Sequence, residues 1–208
     1  DAQKDFAPIS LVGAQANILV VNPSVKAKSL AELVTLARTE GGGLNYASSG
    51  PGTPYHMAGE LFKVMAGVSI VHIPYRGSAG ARSDVIGGQL EMMFDAIPTM
   101  NEQIKAGKVK AIATTGVQRS AILPDVPTIS EAGVKGYEAT LWLGLMAPKG
   151  TPPAVIARLN AELAKFTANG DTKRAWGAQG ATPMTMGVDE FARYVDADSA
   201  KWAKVVKF

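Results

Sequence analysis

No cysteine occurs in the 208 residues. Disulfides, zinc–thiolate centres and thiol nucleophiles are therefore excluded together. Long apolar runs are also missing, and none approaches the roughly 20 residues a helix needs to cross a membrane. Histidine is confined to His56 and His72. There is no G-x-S-x-G elbow, no P-loop, no G-x-G-x-x-G and no H-E-x-x-H. Nothing in the sequence pairs a nucleophile with a base, so an enzyme, such as a carboxylate-handling hydrolase, is the weakest of the function classes. The 21 Lys and Arg are scattered and leave a net charge of only +3. No basic run is interleaved with aromatics, which argues against nucleic acid as a partner. No metal and no cofactor are expected. No secretory signal is seen and the chain starts at Asp1 rather than Met, so the expectation is either that a leading segment was removed or that the sequence starts late in a longer protein.

What is present suffices for a real core, with 47% hydrophobic and 19% charged residues. Phe6 to Asn22 reads as two adjoining strands broken near Gly13–Gln15. A helix follows, opened by Ser29 and Glu32 as a capping box, with Leu30, Leu33, Val34 and Ala37 on one face. Gly41, Gly42 and Gly43 are expected to end it. Short apolar strands and helices then alternate: LNYAS, a helix over 54–66, SIVHI, a helix over 79–86, EMMFD, a helix over 99–106, and VKAIATT. That rhythm predicts βαβ units and a largely parallel sheet. The tail reads as one strand over 140–148 and three helices, the first with Pro152 and Pro153 near its start. Hinges are expected at Ala16–Val21 and Gly136–Trp142.

In an open parallel sheet, ligands bind beyond the carboxyl ends of the strands. Three loops fall at such ends. Ser48, Ser49, Gly50 and Thr53 precede a helix with Pro54 at its first position, Thr53 being the expected N-cap. Hydroxyls and flexible backbone at a helix N-terminus suit a carboxylate, although a plain strand-to-helix turn uses the same residue types. In the second loop Tyr75 is a candidate pocket wall, and Arg76 is either an anion partner or simply solvated, beside Gly77 and Ser78. In the third, Asp95 is either a helix cap or an acceptor for a ligand group or bound water. His72 reads as a satisfied core residue and His56 as a group orienting the first loop. Trp142 reads as a buried aromatic, or else as a lid over a ligand, and Met92, Met93, Met184 and Met186 as packing residues.

The ordered segments KDFAPISLV, LNYASSGPGTPYHMAGELFK, IPYRGSAGA, FDAIPT, LPDVPTISEAG and WLGLMAPKGTP resemble the periplasmic solute-binding proteins of tripartite tricarboxylate transporters, the Bug proteins, over nearly the whole chain. The resemblance implies an α/β, type II periplasmic-binding-protein-like fold, with two α/β domains joined by two crossing strands and the ligand in the cleft. Residues 1–17 and 139–208 would form a partial first domain and 18–138 the ligand-gripping second. It further implies a non-enzymatic, periplasmic protein that captures a small organic carboxylate, often through ordered waters, and delivers it to a membrane permease. By motif match, Ser48, Ser49, Gly50 and Thr53 would grip the carboxylate. Tyr75, Arg76, Gly77 and Ser78 would wall it, and Asp95 would meet a polar group. Family members open with a strand and a Pro/Gly-rich loop that this chain lacks, so the first domain is expected to be incomplete, with a homodimer as one way of covering it. The rival reading is a truncated paralogue that acts as a sensor or interaction module with weak or no solute binding.

Overall fold

The computed structural model describes residues 2–39 and 43–206. In chain order the elements are α1 (Ala2–Asp5), β1 (Phe6–Gln15), β2 (Asn17–Val21), α2 (Leu30–Thr39), β3 (Asn45–Ser48), α3 (Pro54–Ala66), β4 (Val71–Pro74) and α4 (Ser78–Ile86). There follow β5 (Met92–Ala96), α5 (Ile97–Lys105), β6 (Lys110–Thr114), β7 (Leu141–Pro148), α6 (Pro153–Ala168), α7 (Gly170–Gly177), β8 (Ala181–Pro183) and α8 (Val188–Val205). Two compact units emerge: one from the segments up to Gln15 and from Leu141 onward, the other from Ala16–Thr140.

The Ala16–Thr140 unit is a five-stranded sheet in the order β4-β3-β5-β2-β6. β4, β3 and β5 run parallel. The largely parallel sheet read from the sequence needs one correction: β2 is antiparallel to both neighbours, β5 and β6. Its all-apolar run Ile18–Val21 is buried on both faces, as a central strand requires. Ile18 and Val20 pack with Ala47, Met93 and Met100 on one face. The other face carries an aromatic cluster in which Phe62 meets Phe94 and Tyr137, and Tyr137 donates from its hydroxyl to the Ala58 carbonyl at 2.8 Å. α2 starts as expected: the Ser29 hydroxyl accepts from the Glu32 amide at 3.2 Å, while the Glu32 carboxylate accepts from the Lys28 amide at 2.7 Å. Gly41 and Gly42, expected to stop it, lie outside the described residues. β4 sits two residues later than SIVHI suggests and ends on Pro74, which an edge strand tolerates because no ladder partner needs its missing N–H.

The other unit is an antiparallel sheet, β7-β1-β8, on which Ile9, Ala147 and Ile156 form a core with Leu163 and Val188. Trp142 is built into this unit: its indole N–H donates to Asp198 at 2.8 Å and its ring meets Phe191 and Tyr194 edge-on. The short β8 has no local sequence signal. It becomes a strand because Ala181–Pro183 pairs with Gly13–Gln15 of β1. Among the described residues, no helix is long and apolar enough to cross a membrane.

Candidate functional site

β4, β3 and β5 lie side by side and point the same way, so their carboxyl ends share one edge of the sheet. Each strand is followed by a helix: α4 after β4, α3 after β3, α5 after β5. None of the three has a side-chain cap. The first-turn amides and the positive ends of the helix dipoles are therefore left for another partner.

The β3–α3 loop is held from beneath. The Ser48 side chain is fully buried. Its Oγ accepts from the Gly50 amide at 3.0 Å and lies 2.6 Å from His72 Nε2. Gly50 has φ 128°, and a Cβ there would stand 3.1 Å from the Tyr75 carbonyl, so only glycine fits this turn. Thr53 occupies the N-cap position with extended dihedrals, yet its hydroxyl donates to the Gly50 carbonyl at 2.7 Å instead of capping α3. The expected cap is thus replaced by a bond that closes the loop on itself. Ser49 is half-buried, and its carbonyl accepts from Gly77 N–H at 3.1 Å, while the Ser48 carbonyl accepts from Tyr75 N–H at 3.1 Å. These two bonds tie the first loop to the second.

In the second loop Arg76 is exposed and Ser78 opens α4. Gly77 adopts φ 99° at the N-cap. Tyr75 donates a very short hydrogen bond to Asp84 Oδ2, which raises the phenol's pKa with a further push from burial. At the third loop Asp95 is 1% exposed. Its Oδ2 accepts from Arg82 Nε at 2.7 Å and its Oδ1 from the Ala96 amide at 2.8 Å. The Tyr55 phenol, in the first turn of α3, is raised by burial and by the Asp95 charge. Arg82 and Tyr55 thus join the cluster although sequence reading passed over both. Arg82 stands one helical turn after Ser78, an i,i+4 spacing that puts the two on the same face of α4 and was the available signal.

The two histidines form a single unit below the loop. Their ring centroids are 4.1 Å apart, and His72 also stacks on Tyr46 at 4.9 Å. His56 Nδ1 accepts from the Gly52 amide at 3.1 Å, so it does orient the loop. Tyr46 donates to Glu60 at 2.5 Å, and Lys63 pairs with Glu60 at 2.9 Å. His72 was read as a satisfied core residue; it is half-buried and bonded to Ser48, with its pKa lowered to about 4 by burial and then by His56. In the unfolded chain its value is about 6.5, so between these values the unfolded state binds more protons. His72's contribution is therefore fully present above pH 6.5 and is lost as pH falls toward 4. Urea melts from pH 7.5 to 4.5 should show stability declining across that window, with His72→Gln declining less steeply. Parallel pH profiles for the two proteins would contradict this.

Among the described residues no group of three His, Asp or Glu side chains is placed to hold a metal ion.

A sequence model of the tripartite tricarboxylate transporter family receptor matches residues 1–208. Protein BugT of Bordetella pertussis is 34% identical over 204 residues, covering 98% of this chain and 63% of BugT. Among solved structures, R. palustris Rpa4515 with adipate superposes with a TM-score of 0.84 at 35% identity, over 98% of this chain and 68% of that one. MatC from Rhodopseudomonas palustris with bound malate gives 0.80 at 28% identity, over 97% and 69%. The fold is that of the periplasmic binding proteins. The chain spans about three-fifths of the length of the curated relatives it matches.

Proposed function

This chain belongs to the tripartite tricarboxylate transporter receptor family, and from that premise we propose that it binds a small organic carboxylate in the periplasm for delivery to the membrane permease of such a transporter. One observation carries the reading: three adjacent parallel strands each run into a helix whose N-terminus has no side-chain cap. Such ends supply N–H donors and positive potential to an anion. In this reading Ser49 and the first-turn amides of α3 grip the carboxylate, on a loop shaped by Ser48, Gly50 and Thr53. Tyr75, Arg76, Gly77 and Ser78 form the adjoining wall. Asp95 faces a polar group of the solute while it anchors Arg82. Adipate and malate on two similar proteins support a carboxylate as the solute class.

A ligand at 100 times its Kd adds about 2.7 kcal/mol to stability. A thermal-shift screen of mono-, di- and tricarboxylates should therefore raise the melting temperature with at least one of them. Failure of every acid to do so would overturn the reading. A second reading, an interaction module that pairs with its own copy, is favoured by Leu143 and Leu145. These are 57% and 42% exposed on β7, an edge strand of its sheet. Light scattering that shows a concentration-dependent dimer with no response to any acid would favour it.

A further inference from the structure

Asn17 opens β2 and is 1% exposed, yet neither Nδ2 nor Oδ1 of its carboxamide has a hydrogen-bond partner among the described residues. Its backbone is fully used on the β6 side: its N–H donates to the Thr115 hydroxyl at 2.8 Å and its carbonyl accepts from Thr115 N–H at 2.9 Å. On the other side it pairs with Ala96, the N-cap residue of α5 and the neighbour of Asp95. Because that pair exchanges no backbone bonds, its two side chains stand close together. Tyr55 reaches the same place, since its phenol is influenced by both the Asp95 carboxylate and the Ala96 amide. Asn17 therefore lies at the carboxyl edge of the sheet, where the candidate site is, and not in the apolar core below it. A buried amide with both ends unpaired is costly, about 1–3 kcal/mol for each lost partner, and native structures seldom carry one without a reason. Two other buried atoms lack partners among the described residues: Asn101 Oδ1, which is an acceptor alone, and the Thr114 hydroxyl, which is a single oxygen. Asn17 leaves a whole carboxamide, two separate atoms, without a partner.

We propose that the Asn17 carboxamide recognises a hydroxyl group on the bound solute, so that the site selects hydroxycarboxylates over the same acids without the hydroxyl. This rests on the carboxylate-binding reading above and narrows its substrate class. The chemistry follows from the amide. An ionised carboxylate only accepts hydrogen bonds and would leave Oδ1 unpaired, whereas a hydroxyl both donates and accepts and satisfies Oδ1 and Nδ2 at once. A site that pairs a buried polar group with a substrate hydroxyl discriminates strongly against the analogue lacking it, because that group is then left unpaired.

The test is calorimetric titration of the full chain with matched pairs: malate and succinate, 2-hydroxyglutarate and glutarate, 3-hydroxyadipate and adipate, citrate and tricarballylate. In at least one pair the hydroxy acid should bind about tenfold tighter or better, and Asn17→Leu should bring that ratio to within about threefold while still binding the deoxy acid. Asn17→Ala serves if the leucine variant fails to fold, and each ratio is taken within one protein, so altered stability does not enter it. Equal or weaker binding of the hydroxy acid in every pair that binds would overturn the inference, as it would if an ordered water alone served Asn17. A ratio unchanged by either substitution would do the same. If no acid of the eight binds, the carboxylate reading itself fails and this inference falls with it. If deoxy acids bind well without any hydroxyl preference, the reading stands and only this inference is lost.

Discussion

Replacing Arg82 with methionine is expected to cost about 3 kcal/mol of stability, the lower end of what breaking a buried ion pair costs. Asp95 is 1% exposed and Arg82 Nε is its charged partner at 2.7 Å. Without the guanidinium, the carboxylate would keep only neutral hydrogen-bond donors, the Ala96 amide and the Tyr55 hydroxyl, among the described residues. The lower end applies because the Arg82 side chain keeps about a quarter of its surface in solvent, where water screens the pair. Combining Arg82→Met with Asp95→Asn should recover much of the loss, since no charge is then stranded. Urea melts of the two single variants and the double variant form the cycle. A loss below about 1 kcal/mol for Arg82→Met would mean that the pair behaves as a surface ion pair. The same series bears on the site. If Asp95 also meets the solute, Asp95→Asn should weaken binding of a carboxylate identified by thermal shift beyond what the Arg82 change alone produces.

Gly59→Ala should be about as damaging, near 3 kcal/mol, the upper part of the range for an overpacked core. Gly59 lies on the buried face of α3, and a Cβ there would come 2.2 Å from Cε2 of Tyr46. The tyrosine has nowhere to move. It is fully buried on β3, its hydroxyl is bonded to Glu60, its ring is stacked on His72, and Phe94 meets it edge-on. Relief would have to come from α3 lifting off the sheet, and the first turn of α3 is part of the candidate anion site. The variant should therefore lose solute affinity as well as stability, and Tyr46→Leu in the same chain should restore part of both. A melting midpoint within experimental error of the parent would show that helix and sheet are not in close contact here.

Much of this organisation is legible in the sequence. The strands and helices of the Ala16–Thr140 unit follow from short apolar runs separated by Gly, Pro and Ser, which carry their own conformational preferences. α3 was read at its observed limits because Pro54 and the apolar spacing are local signals. The family was legible too, because six ordered segments carry it. Other features depended on distant parts of the chain meeting. Nothing in NILVV says that it runs antiparallel between β5 and β6, since an apolar strand is equally suited to either direction and only the path of the folded chain chooses. His72 looked like a core residue because a strand periodicity cannot show that Ser48, 24 positions away, lies 2.6 Å from its ring. Asp95 showed only as a candidate until packing placed Arg82 of α4 against it. Asn17 carries no signal of its own in the sequence. Its meaning, a buried amide without a partner among the described residues, exists only once β5 and β6 close around it. Local sequence determines backbone preference and apolar periodicity, because these are properties of neighbouring residues. The pairing of charges and hydrogen bonds is decided by contacts between residues far apart in the chain, and those come into being only with the tertiary fold.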